Sequence, residues 1–415
     1  MSVIESNYQL QSSESGGAIS EVIVPMVESA DELIAVRRRI EDVIELGHKE
    51  FGISRDPAAV QAIPLIEEVP ELLSAGRMMA EYIEKAEPAG YAVGRLRIML
   101  GRSDSAMIYG MLPSVLAVKV AISDCLAMGA AKDIETLPIF GGGVLPFRGH
   151  ASLDNLDNLL ADFAGIRTIT GQSGLRYDCG SEVARQFAIR AKELLEAGRK
   201  PLSYSEEERA ELVSLIGIFT RFYLESFAEL IEVVIPLSEL MPAQRDRLAR
   251  KSAVGYARAA AQPEKLAAEI TDEDIAAEVA AMKPVISAAL PRAISFTGAL
   301  YSIGLPPEFI GTGRGLAEIA SRFGKGAIDR LLEFYPGLTG DLENASRFLN
   351  FDTAAQHLPE NLRSQIETDL SNVSRYLDVE TAKVSAENRR YHLLLETVQP
   401  MLRQLGAHEE AWQGD

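Results

Sequence analysis

Five short apolar runs recur at roughly 30–40-residue intervals, the size of a βα unit. They are 21–27 (EVIVPMV), 62–67 (AIPLIE), 96–101 (LRIMLG), 137–140 (LPIF) and 167–170 (RTIT). Each is apolar throughout rather than alternating, as parallel strands covered on both faces require. Two further runs, 252–256 and 293–296, are candidate sixth and seventh strands. Helical patterns fill the intervals. Ser29-Ala-Asp-Glu32 reads as a capping-box start for a stripe of Leu33, Ile34, Val36, Ile40, Val43 and Ile44. Residues 107–128 read as one largely apolar, buried helix. The alternation predicts an α/β fold of (β/α)8 TIM-barrel type with many additional helices.

The second half differs. Residues 206–240 are helical in pattern, and Thr271-Asp-Glu-Asp274 caps an Ala-rich helix ending at Met282. Three regions follow: a polar segment 1–19, a barrel domain with helical insertions 20–335, and an acidic helical region 336–415. The run Arg37, Arg38 and Arg39 reads as a solvated helix face in preference to an anion site.

Charge and cysteine content exclude several functions. The 415-residue chain has 41 Lys+Arg against 60 Asp+Glu, a net charge of −19. Such a chain repels phosphate backbones, so no nucleic-acid partner is expected. Cys125 and Cys179 are too few for a disulfide framework or a thiolate metal site, which suits a reducing cytoplasm. The start MSVIESNYQLQSSESGG lacks a basic n-region and an apolar h-region, and apolar runs such as 212–219 are too short to span a bilayer. A cytoplasmic protein with no membrane partner is expected.

Active sites of parallel α/β folds lie at the C-terminal ends of the strands. The second run ends in Glu67-Glu68, the third in Gly-Arg102-Ser-Asp104, the fourth in Gly141-Gly142-Gly143-Val-Leu-Pro-Phe-Arg148-Gly-His150, and the fifth in Gln172, Ser173 and Arg176. Carboxylates without neighbouring Cys or His suit a hard ion, Mg²⁺ or Mn²⁺. Arginines around such an ion suit a phosphate or carboxylate substrate. A cap or an ion pair explains any one of these residues; the set, recurring strand after strand, points to function. The three glycines permit close backbone approach to a ligand. Gly311-Thr-Gly-Arg-Gly315 lacks the Lys-Ser/Thr of a P-loop and reads as a turn carrying Arg314.

These segments resemble the short, archaeal-type phosphoenolpyruvate carboxylases. The matching stretches are EVIVPMVESADEL (21–33), IPLIEE (63–68), GRSDSAMIYG (101–110), FGGGVLPFRGH (140–150), TGQSGLRYD (170–178) and PRAISFTGALYSIGLPPEFIGTG (291–313). The resemblance implies a (β/α)8 barrel, a homotetramer, and conversion of phosphoenolpyruvate and bicarbonate to oxaloacetate and phosphate with Mg²⁺ or Mn²⁺. It implies Glu67 and Asp104 as metal ligands, and Arg148, Arg292 and Arg176 as catalytic residues. Gln172 falls on the family's strand-end motif, and with Arg102, Gly141, Gly142 and His150 from the strand ends it is expected to bind substrate. Two departures stand out. The family's Gln-His-Pro-Asp segment, which supplies a catalytic histidine, has no counterpart here, so the first barrel strands are expected to be missing. His150 stands where the family has Asn. The alternative reading is a barrel that binds phosphoenolpyruvate, inactive or phosphatase-like, serving as a partner or regulatory subunit.

Overall fold

A computed structural model describes residues 19–52, 60–172, 174–240, 260–284, 289–324, 326–381, 391–394 and 397. Strands β1 (Glu21–Val24), β2 (Gln61–Ile66), β3 (Arg95–Gly101), β4 (Glu135–Gly141) and β5 (Thr168–Ile169) pair in that order. Every pair is parallel, with Ile23 opposite Ile63, Leu65 opposite Met99, Leu100 opposite Phe140, and Phe140 opposite Ile169. Sequential parallel order brings all five C-terminal ends to one edge. The five expected strands therefore exist, and the fold is α/β.

Helix α1 (Ala30–Phe51) follows β1, α2 (Val69–Ala86) follows β2, and α3 (Ser103–Tyr109) and α4 (Met111–Ala131) follow β3. Helix α5 (Leu156–Asp162) precedes β5. Beyond it come α6 (Ser181–Ala197), α7 (Glu206–Glu239), α8 (Pro263–Ala267), α9 (Glu273–Ala280), α10 (Ala293–Ser302) and α11 (Thr312–Phe323). The last are α12 (Gly326–Phe334), α13 (Leu338–Ser346), α14 (Phe351–Ala354) and α15 (Glu360–Leu377). Ser29 caps α1 by accepting from the Glu32 amide, and Asp272 caps α9 by accepting from Ile275. The caps lie where the sequence predicts them.

Three expectations need correction or comment. The run 293–296 is not a strand but the first turn of α10. Ala293, Phe296 and Leu300 are buried at helical spacing, and Arg292 is the extended residue before them. The run 252–256 lies outside the described residues. The single helix expected over 107–128 is two helices broken at Gly110, whose φ of +99° only glycine adopts readily. The Tyr223 ring sits 3.0 Å from where a Cβ would be, and its hydroxyl donates to the Met107 carbonyl at 2.6 Å.

Helix α4 is the one helix among the described residues long and apolar enough to cross a membrane, and most of it is buried in protein. It packs against α2, α7 and β4, so it needs an apolar surface on several sides. Its one cation, Lys119, pairs with Asp162 at 3.2 Å. The arginine run divides: Arg38 and Arg39 are exposed, whereas Arg37 is buried, donating to Gln61 and to the Tyr82 hydroxyl and lying over the Tyr91 ring. Arg314 is structural. Its guanidinium and amide and the Gly311 amide all donate to Asp369, which ties α11 to α15.

Candidate active site

At the joined ends of β2 and β3, Ile66 lies opposite Leu100, so the next residues, Glu67 and Gly101, meet at the rim. Glu67 packs over Gly101, where a Cβ would sit 2.9 Å from Glu67 Cγ. Both Glu67 and Asp104 are half-buried. Glu68, by contrast, turns inward. It is buried against Gln262, and burial pushes its carboxyl up to about 7, helped by repulsion from Glu71 and Glu28.

Asp104 sits in the first turn of α3, and the serines on either side of it fix that turn. Ser105 Oγ donates to the Gly101 and Arg102 carbonyls, and Ser114 Oγ also donates to Arg102 O at 3.1 Å. Ser103 Oγ donates to the Arg148 carbonyl at 3.4 Å, and the Arg102 amide to Gly141 O at 3.0 Å. The Asp104 turn is thereby joined to the loop that follows β4.

That loop, 141–150, folds back on itself. The Gly143 amide donates to Arg148 O at 2.7 Å, and Ala151 N donates to Gly143 O at 2.8 Å. A Cβ on Gly143 would lie 3.1 Å from the Arg148 guanidinium carbon and 3.0 Å from Gln172 Oε1, so a side chain here would crowd both. Arg148 Nη2 donates to that same Gln172 oxygen at 2.9 Å, joining the ends of β4 and β5. Burial lowers the proton affinity of the Arg148 guanidinium, Asp104 opposes that, and Arg292 adds to it. Asp104 and Arg292 therefore both act electrostatically on Arg148. Arg292 is exposed at the N-cap of α10. Arg148 Nε is buried without a hydrogen-bond partner among the described residues.

Glu67, Asp104, Arg148, Gln172 and Arg292 thus gather on one rim. Arg176 is exposed over the Tyr177 ring; with Gln172 it lines a cavity of about 570 Å³ beside β5. Gly141 and Gly142 are buried in the backbone beneath the loop. Arg102 and His150 line a different cavity, of about 300 Å³, with Asp162, Tyr335 and Asp341. His150 Nδ1 is hydrogen-bonded to Asp341, which also accepts from the Tyr335 hydroxyl. Ser173 is outside the described residues.

The donor set fits a hard divalent ion. Among the described residues no cluster of three or more His, Cys, Asp or Glu could cage a metal. Two half-buried carboxylates at adjacent strand ends suit Mg²⁺, which keeps water and substrate oxygens in its remaining positions.

Four supporting residues escape a sequence reading built on strand ends: Ser103, Ser105, Glu308 and Asp341. The serines flank Asp104 and were readable as a unit. Glu308 carries a signal too, a lone charge inside the apolar stretch IGLPPEFIG. Nothing local marks Asp341, which is 191 residues from its partner His150.

The profile of the phosphoenolpyruvate carboxylase family matches residues 1–409. A protein of that name from Methanosarcina barkeri is 38% identical over 98% of this chain and 76% of its own length. One from Methanopyrus kandleri is 38% identical over 97% and 76%. A more distant one, from Leuconostoc mesenteroides, is 28% identical over 91% and 70%.

Proposed function

Because the chain belongs to the phosphoenolpyruvate carboxylase family, we propose that it carboxylates phosphoenolpyruvate with bicarbonate, giving oxaloacetate and phosphate. The observation that supports this reading is that Glu67, Asp104, Arg148 and Gln172 all follow strands that end on one edge, with Arg148 bonded to Gln172 and influenced by Asp104 and Arg292.

In this reading Glu67 and Asp104 hold Mg²⁺ or Mn²⁺, which when bound supplies Lewis-acid stabilisation of developing negative charge. Arg148, oriented by Gln172, and Arg292 hold the anionic oxygens of substrate through forked hydrogen bonds. The glycines at 141–143 let the loop backbone close around that anion. A partly buried guanidinium in a site of low dielectric stabilises the enolate and the transferring phosphoryl group more strongly than in water. Bicarbonate oxygen attacks phosphorus as the bond to the enolate oxygen breaks, and the enolate carbon then bonds to CO₂ released from carboxyphosphate. Exclusion of water keeps the enolate from being protonated instead. Arg176, exposed at the β5 end, meets the incoming anion.

The five-stranded parallel sheet is read as an arc of a (β/α)8 barrel, the assembly as a homotetramer, the location as cytoplasm, and the role as anaplerotic supply of oxaloacetate to the tricarboxylic acid cycle. The test begins with the metal. Glu67→Ala and Asp104→Ala each remove one of two anionic ligands, so each should weaken Mn²⁺ binding at least tenfold in calorimetry and abolish metal-dependent consumption of phosphoenolpyruvate. Unchanged Mn²⁺ affinity in both variants would remove this site.

A further inference from the structure

The loop bearing Arg148 is held at its apex by two buried charges. Phe147 is fully buried and its ring stacks on Phe296 of α10, with centroids 5.8 Å apart. The amide of Phe147 donates to Glu308 Oε1 at 2.8 Å, and the Tyr301 hydroxyl donates to the same oxygen at 2.8 Å. One bond earlier in the chain, the Pro146 carbonyl accepts from Arg102 Nη2 at 3.2 Å. The carbonyl of Pro146 and the N–H of Phe147 belong to one planar peptide group. A cation therefore grips one side of that plane and a carboxylate the other. Arg102 is 1% exposed and Glu308 0%.

We propose that Arg102 and Glu308 are positioning residues that clamp the Pro146–Phe147 peptide plane and so hold Arg148 in register with Asp104. Arg102 immediately precedes the Asp104 turn, and its own amide donates to Gly141 O. Glu308 lies just after α10, whose N-cap is Arg292. The clamp thus joins the segments that carry Asp104, Arg148 and Arg292. Burying two charges is costly, and apolar replacements of similar size would often be more stable. Geometric control of the loop is what the cost secures. Fixing the plane fixes the entry direction of Arg148, and a misplacement of about 1 Å at a reacting group costs on the order of a hundredfold in rate. This assigns Arg102 a place behind the loop, in contact with backbone, instead of a contact with substrate.

The proposal rests on the carboxylase reading for its kinetics and is independent of it for loop exchange. Glu308→Gln keeps an acceptor oxygen for Phe147 N–H and Tyr301; Glu308→Leu removes it; Arg102→Met removes the opposite donor. Hydrogen exchange of the peptide spanning 144–150 is measured with kcat/KM for phosphoenolpyruvate, after cooperative unfolding confirms a folded chain. Glu308→Gln should stay within about threefold of the parent in both. Glu308→Leu and Arg102→Met should each speed exchange at least tenfold and lower kcat/KM at least thirtyfold. The double variant should be little worse than either alone, because one plane is held by both. If Glu308→Leu does not fold, Arg102→Met and Glu308→Gln still decide. Parent-like exchange in Arg102→Met, or a Gln variant as damaged as Leu, overturns the clamp. A parent chain that does not turn over phosphoenolpyruvate sinks the carboxylase reading while exchange still judges the clamp.

Discussion

Arg148 is where the site's geometry and electrostatics meet. Its guanidinium is largely buried, bonded to Gln172, and influenced by both Asp104 and Arg292. A lysine ammonium cannot reproduce that fork. Arg148→Lys and Arg292→Lys should each weaken phosphoenolpyruvate binding by roughly 1–3 kcal/mol, the scale of a hydrogen bond to a charged group. Equal ligand-induced stabilisation of parent and both variants would count against the assignment. Glu308 makes a separate prediction about pH. Burial raises its carboxyl to about 7. In the unfolded chain it ionises near 4.5, so between about 4.5 and 7 the unfolded state binds fewer protons and stability falls as pH rises. Glu308→Gln has no such proton to lose. Its stability relative to the parent should therefore rise from pH 5 to pH 7.5, by up to about 3 kcal/mol. A difference in denaturation midpoint that is flat across this range would contradict the assignment.

At the scale of elements, α4 shows what a sequence can and cannot disclose. Its apolar run identified a buried helix, but the break at Gly110 depends on the Tyr223 ring more than a hundred residues away. The strands were legible because burial on both faces forces unbroken apolar runs, which local composition records. The 293–296 run misled because a short apolar stretch fits a helix turn equally well, and length alone could not decide. The rim residues that follow strands were legible for a related reason, since parallel topology sends each strand's end to one edge; Arg292, before a helix, was legible only through the family resemblance. What holds the loop was less so: Glu308 shows only as a lone charge in an apolar stretch, and Asp341, which holds His150, has no local signal. Lys119 illustrates the same distance effect within the core. It is 1% exposed, pairs with Asp162 of α5, and faces the rings of Phe163 and Tyr335; Asp162 in turn accepts from the Gly337 amide before α13. Lys119→Met would leave Asp162 buried and uncompensated, at a cost of about 3–5 kcal/mol. Adding Asp162→Asn should recover much of that loss in urea denaturation. A single variant as stable as the parent would show that the pair does not organise these helices.

For the whole molecule, the proposed reading has an acidic chain of net charge −19 binding an anion through local arginines set against two carboxylates. Global repulsion and local attraction coexist because salt screens the first beyond a Debye length, while partial burial strengthens the second. The C-terminal helices belong to the same machine. Asp341 of α13 holds His150, and Glu308 holds Phe147, so residues beyond the sheet set the shape of the loop after β4. His150, tied to Asp341, serves that framework.

The most direct measurement follows ¹³C-labelled bicarbonate and phosphoenolpyruvate through one reaction with Mg²⁺, counting labelled oxaloacetate against phosphate released. Carboxylation predicts equal amounts of the two, both dependent on bicarbonate. Phosphate released without labelled oxaloacetate, at a rate indifferent to bicarbonate, would contradict it.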